Sequence, residues 1–246
     1  NSIKQGAQDF IQQVKTNKLL SNIEKNNLIK ARQNIKDCDK KNSFITVDAN
    51  SSLAAQQFSS YLNGIISFYN ANFSTATKIF TALKNSNQLW IQETSYYMLV
   101  RSSLNEAYQS GVGEYGDLNL QKLNSNLLTG FFNNTTQYLK KYPTGLYAAS
   151  TRGTLRRGFW LSGRHDLLVN EFVWQINNPK SPFYNLEIEN IAYEIDRHIF
   201  QSSKFNPKNL KDPFFLAIYD LMQMRKPETS DDTVISWSAL NAQKDI

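Results

Sequence analysis

The chain has 246 residues, 41% of them hydrophobic and 20% charged, with a formal net charge of +6 from 27 Lys and Arg against 21 Asp and Glu. That balance excludes a disordered chain and supplies enough apolar side chain for a substantial core. No apolar run approaches the ~20 residues that span a bilayer, and the single cysteine, Cys38, excludes an internal disulfide and, with no Cys/His cluster, a zinc site.

Only ten glycines and no alternating apolar runs point to helices throughout. Residues 2–15 place Phe10, Ile11 and Val14 on one side of a short amphipathic helix. Ser21 and Glu24 form a capping box. The helix it opens turns Ile23, Leu28, Ala31 and Ile35 inward and ends in a charged run at 36–41. Polar residues 39–51 read as a linker loop. Ala54–Asn70 carries Ala54, Phe58, Tyr61, Leu62, Ile65 and Tyr69 on one face. It turns at Ala71-Asn72 and pairs with Phe73–Leu83. Leu89–Tyr108 follows, with Leu89, Trp90, Tyr97, Val100 and Leu104 inward.

After a loop at 111–119, a long helix is expected over Leu120–Tyr142, with Leu120, Leu123, Leu127, Phe131, Tyr138 and Tyr142 apolar, stopped by Pro143. Leu146–Ser162 has two apolar faces, one of Tyr147, Thr151, Leu155 and Phe159, the other of Ala149, Gly153 and Trp160, as an interior helix of a stack needs. Gly163 offers a left-handed residue to end it before Asp166–Ile176. Ile188, Ile191, Ile195 and Ile199 are in register over Tyr184–Phe200. Asp212 caps and Pro213 starts a helix to Arg225, and Asp231–Ala242 closes the chain. All six prolines (143, 179, 182, 207, 213 and 227) fall at these boundaries, away from helix interiors where each would cost about 3 kcal/mol.

Within Phe58–Leu83, Gly64, Phe73, Ala76, Phe80 and Leu83 are spaced so that small residues let two antiparallel helices approach while aromatics fill the gap. This resembles the tetratricopeptide unit. A partial second match runs over Leu155–Phe172, with Leu155, Phe159, Gly163 and Phe172 in place and Arg156 and Leu168 where small residues are expected. A narrower likeness lies in Phe131–Arg157. Tyr138, Tyr142, Pro143, Thr144, Gly145, Tyr147 and Ala148 follow the pattern of an aromatic helix end, Tyr-Pro, a small polar turn and Tyr-Ala. That pattern resembles the tetratricopeptide modules of Gram-negative envelope lipoproteins.

One helix pair cannot bury its own apolar face, so neighbours must stack on it. The resemblance therefore implies an all-α fold, a right-handed solenoid of antiparallel helix pairs. It is expected as a single tetratricopeptide-like domain over 1–246, with N-terminal helices at 1–45, core repeats at 53–177 and C-terminal helices at 184–246. It also implies a periplasmic or outer-membrane-associated protein with a membrane-associated partner. Asn1 in place of Met implies residues removed upstream, and the chain is expected to be the N-terminal part of a longer one.

Little motif chemistry is present. Gly111 to Gly116 matches G-x-G-x-x-G, but a helix precedes it and Glu114 would stand beside the phosphates, so it reads as a loop between helices. Zincin, nucleophile-elbow, Walker and C-x-x-C motifs are missing. His165 and His198 have no motif partner and read as structural. No Glu is followed by Ser, which removes the catalytic motif of lytic transglycosylases but leaves open a carboxylate pair in a cleft. The basic balance favours an anionic partner or serves as a solubilising surface, and the lack of finger or RNA-binding motifs argues against nucleic acid.

Glu93 is the unexpected residue. On the helical wheel it lies mid-face among Leu89, Tyr97, Val100 and Leu104, so it must be paired, protonated or facing a cleft. Arg101 lies two turns away. Arg152 and Arg156, one turn apart on the 146–162 helix, are the expected ion-pair partners. Glu93, Tyr97, Arg101, Arg152 and Arg156 are therefore the candidate partner-binding residues. They form either a buried ion pair that fixes helix register or a ligand-facing Glu-Arg pocket. The function expected is a non-catalytic scaffold that holds a protein or peptide on its concave face, with no cofactor or metal. The alternatives are a helical module of a peptidoglycan-acting enzyme and a secreted effector.

Overall fold

The computed structural model of the protein describes residues 2–36, 41–46, 48–186, 193–200, 212–223 and 241. Among them the regular elements are helices: α1 Ser2–Thr16, α2 Asn22–Asn34, α3 Leu53–Tyr69, α4 Phe73–Leu83, α5 Leu89–Ser110, α6 Ser125–Lys141, α7 Ala148–Leu161, α8 His165–Asn177 and α9 Pro213–Gln223. A 3-10 turn spans Leu120–Lys122 and a π-helical turn Asp196–Phe200. No described helix is long and apolar enough to cross a membrane. Contacts divide the chain into two compact units, Asn1–Thr154 and Leu155–Ile246, and the division falls inside α7.

In the first unit α3 packs on α4, α4 on α5 and α5 on α6. The α3–α4 hairpin turns through Ala71, whose φ of 58° is left-handed, and Asn72, whose side chain caps α4 by accepting the Thr75 N–H. Gly64 faces the Phe80 ring so closely that an added Cβ would lie 2.7 Å from two ring carbons. The Phe80 ring therefore fills the space between α3 and α4 that Gly64 leaves open. Gly64→Ala is expected to destabilise by about 1–3 kcal/mol through overpacking, after the gain of about 1 kcal/mol in helix propensity is set against it. A urea titration checks this, and Phe80→Leu in the same chain should return part of the loss.

Phe10 of α1 joins this core, edge-on to Phe58 at 5.6 Å and stacked with Tyr61 at 5.8 Å, while Trp90 meets Tyr61 at 5.1 Å. α5 is buried on more than one face. Ser95, Ser102 and Ser103 are buried beside Leu99, Leu104 and Ala107, and such small side chains allow helices to approach from two sides. Two expected inward residues are exposed, Ile23 at 74% and Leu89 at 80%. Both lie in first turns, and at α5 the buried Ile91 and the core-packed Trp90 take the inward positions.

The expected capping box on α2 is present, Ser21 N–H donating to Glu24 at 2.8 Å and Glu24 N–H to Ser21 Oγ at 3.3 Å. Glu24 does more: its other oxygen accepts the N–H of Ser52, the N-cap of α3, at 2.8 Å. These backbone hydrogen bonds lower the carboxyl from 4.5 to about 2. Because the folded value is depressed, its stabilisation is complete above pH 4.5 and disappears as pH falls towards 2. Glu24→Gln should therefore be less stable than wild type at neutral pH, and the two should converge in acid-titrated melts.

The polar stretch expected as a linker is pinned to α3 where it is described. Asn63 accepts from Ile45 N–H at 2.8 Å and donates to Ile45 O at 2.9 Å, and Asn70 makes the same pair with Asn42 at 3.0 and 2.8 Å. The long helix expected over Leu120–Tyr142 is broken. Asn119 and Asn124 accept first-turn N–H groups, of Gln121 for the 3-10 turn and of Asn126 and Leu127 for α6. Asparagine favours such caps over helix interiors because its side chain competes for backbone donors. Leu120 is left exposed and Leu128 is buried.

In the second unit Leu168, Phe172, Leu186, Ile195, Ile199 and Phe215 form the core. Gly163 has φ 67°, as its place at the end of α7 requires. Asp212 caps α9 through the N–H groups of Phe214 and Phe215. The helix expected from Tyr184 does not start there, since 184–186 are non-helical and Asn185 N–H donates to Gln175 Oε1. Cys38, Ile188, Ile191, Pro207, Pro227 and the closing segment 231–242, residue 241 apart, lie outside the described residues.

Candidate functional site

The turn between α6 and α7 is where Glu93 acts. Glu93 Oε1 accepts the Tyr138 hydroxyl at 2.8 Å and the Leu146 N–H at 2.6 Å. The Tyr138 oxygen in turn accepts the Tyr147 N–H at 2.9 Å. A carboxylate on α5 thus ties down the chain as it leaves Pro143 and enters α7. Gly145 makes this approach geometrically feasible. A Cβ there would collide with Glu93 Oε1, and would lie 2.7 Å from Tyr142 Cβ and 2.8 Å from the Tyr138 oxygen. Burial, and then the Glu93 carboxylate, push the Tyr138 phenol far above its usual value.

The expected pairing of Glu93 with Arg152 or Arg156 is therefore corrected. Arg156 belongs to the second unit, where its Nε donates to Glu194 at 3.0 Å and its guanidinium reaches Asn185 and lies over Phe172. Arg152 is partly buried on α7. A helical wheel reports the face of Glu93 but not what approaches it. The partners turned out to be a tyrosine hydroxyl and a backbone N–H.

Tyr97 and Arg101, the other two expected residues of α5, line a groove of about 430 Å3 in the first unit. Arg32, Tyr61, Tyr69, Trp90, Thr94, Tyr147 and Ser150 line it too, with Gln5, Asp9, Gln12 and Gln13 of α1 along one side. Tyr97 is stacked on Tyr147 at 4.5 Å with the rings 3° from parallel. The Glu93 clamp on the start of α7 holds Tyr147 in place for that stack. Arg101 lies over Phe68 at 4.8 Å and Tyr97 at 5.8 Å, and its Nη1 faces the Met98 sulfur, at 4.0 Å. No carboxylate pairs with Arg101 among the described residues. Asp9, the one acid on the lining, accepts from Gln5 at 2.8 Å.

Burial pushes the Tyr61 phenol up, Tyr147 and Tyr69 add to that, and Arg32 and Arg101 oppose it. Both guanidinium groups line the same groove. The sequence reading missed Arg32, Trp90 and the α1 glutamines, because nothing local marks which separate helices converge. The only available signal was the apolar face of α1 that brings it onto α3.

No group of three metal-ligating side chains occurs among the described residues. The G-x-G-x-x-G loop closes on itself, Gly113 N–H donating to Asp117 O at 2.8 Å and Gly116 N–H to Gly113 O at 3.0 Å. The Asp117 carboxylate fills the space beside Gly113. Those donors are spent within the loop, as expected of a connection between helices. His198 packs against Trp160 at 4.4 Å, and burial lowers its pKa. Comparison with protein-family models, with curated proteins and with solved structures finds no match to the chain.

Proposed function

We propose that the protein is a non-catalytic interaction scaffold that holds a protein or peptide segment in the groove between α1, α3, α5 and the start of α7. One observation carries this reading: the groove joins stacked tyrosines and a tryptophan to two arginines, with a single carboxylate, Asp9, on its lining. Aromatic residues and arginine are the side chains that supply most binding energy at protein interfaces. A glycosidase that hydrolyses peptidoglycan by the usual route uses two carboxylates across a cleft, and the described lining of the groove carries one.

The same reading takes the successive packing of α3, α4, α5 and α6, with Gly64 opposite Phe80, as the start of a right-handed tetratricopeptide-like solenoid whose concave side is this groove. A place in the Gram-negative envelope, with a membrane-associated partner, rests on the resemblance of Phe131–Arg157 to envelope lipoprotein modules.

A photo-crosslinking residue tests the assignment in the producing cell. Introduced at Ser150 on the groove it should give a protein adduct, while at Asn133, exposed on α6 and outside the groove lining, it should give none. The same adduct from both positions, or release of soluble fragments from purified peptidoglycan by the chain, overturns the reading.

A further inference from the structure

The ligand chemistry of this groove can be taken further, on the footing of the scaffold reading. We infer that the groove selects a peptide segment carrying an acidic side chain next to an apolar one, and that Arg101 receives the carboxylate.

Arg101 has the properties of a waiting receptor. Its guanidinium lies over the Phe68 ring at 4.8 Å and the Tyr97 ring at 5.8 Å, and among the described residues its polar contact is a weak donation to a thioether. Rings that cover the faces of a guanidinium leave its edge, with paired N–H donors, directed outward, and that edge matches a carboxylate in a two-point hydrogen bond. Ordering is already achieved by the stacking, so less side-chain freedom is lost on binding. The charge balance agrees. Arg101 shares the lining with one acid, Asp9, and Asp9 is engaged with Gln5. The Arg101 charge thus has no carboxylate against it among the described residues, and an anionic segment complements it.

The rings argue against a sugar in the same place. A sugar needs an aromatic face free to stack on, yet Tyr97 gives one face to Tyr147 and has Arg101 against it, while Trp90 contacts Phe10, Phe58 and Tyr61. Met98 touches Arg101 through its sulfur, and Ile65 and ring edges share the lining, a surface for an apolar neighbour of the acid.

The test is a positional-scanning library of C-terminally amidated octapeptides on the purified chain, with amidation removing the terminal carboxylate as a competitor. Retained peptides should be enriched in Asp or Glu beside Leu, Ile or Phe. Replacing that acid by its amide should weaken binding about tenfold or more, the scale of one charge-assisted hydrogen bond, and added salt should weaken the acidic peptide more than its amide counterpart. Arg101→Met should bring the acidic peptide down to the affinity of the amide and leave the amide peptide unchanged. Arg101→Lys, which keeps the charge without the flat two-donor edge, should fall between, and it serves if the methionine variant does not fold. Peptides retained with no preference for acids overturn this inference and leave the scaffold reading standing. Retention of peptidoglycan fragments and of no peptide overturns both.

Discussion

Tyr138→Ala is expected to lower the unfolding free energy by about 3–5 kcal/mol, the range for deleting a fully buried aromatic side chain. Tyr138 has 0% exposure, sits edge-on to Tyr97 at 6.3 Å and contacts Tyr142 at 5.4 Å. The packing loss is only part of the effect. The hydroxyl is both donor and acceptor, to Glu93 Oε1 and from Tyr147 N–H. Tyr138→Phe keeps the ring and removes that link, leaving a backbone donor without its partner at a cost of about 1–3 kcal/mol. Pro143→Ala changes none of these contacts and should stay within about 1 kcal/mol of wild type, through the entropy of the unfolded chain. Urea titrations of the three variants separate the terms. A phenylalanine variant as stable as wild type would show that the hydroxyl bridge does not form in solution.

Much of the architecture was legible because it rests on local rules. Ser21 with Glu24, Asp212 before Pro213, and Gly163 after α7 each mark a helix end by the chemistry of the residues present, and each sits in the structure as its type requires. Gly64 opposite Phe80 was legible because a missing Cβ and a ring at hairpin spacing fix one close approach. What escaped was decided by encounters between distant residues. The polar stretch around Asn42 and Ile45 is ordered by Asn70 and Asn63, 28 and 18 residues away. The long helix through Leu123 failed because asparagine caps outcompeted an apolar stripe that continued through it. Tyr97 and Arg101 line a groove whose other walls come from α1, α2, α3 and the start of α7. The apolar face of a helix does not say which other helix will meet it. Arg156 went astray for the same reason: it was one turn from Arg152 in sequence, yet its acid is Glu194.

The Glu93 series separates a structural carboxylate from a ligand-binding one. Glu93 Oε1 takes two donors, the Tyr138 hydroxyl and the Leu146 N–H. Glu93→Ala strands both, and hydrogen bonds to a charged group contribute about 1.5–3 kcal/mol each before partial replacement by water. A loss of about 2–4 kcal/mol is therefore expected. Glu93→Gln presents an amide oxygen in the same place and can accept both donors, so only the charge assistance goes, and about 1 kcal/mol is expected. The ordering Ala far below Gln, with Gln near wild type, is the signature of an acceptor that closes a turn.

The groove should register the same change at one remove. The clamp positions Tyr147, and Tyr147 is the ring on which Tyr97 stacks. Glu93→Ala should therefore raise the rate of amide exchange at Leu146 and Tyr147 and weaken peptide binding, while Glu93→Gln keeps both near wild type. Equal melting temperatures for wild type and Glu93→Ala, with binding lost, would instead place the carboxylate in direct contact with the ligand. The hydrogen bonds to Tyr138 and Leu146 predict a fall in melting temperature that precedes any loss of binding.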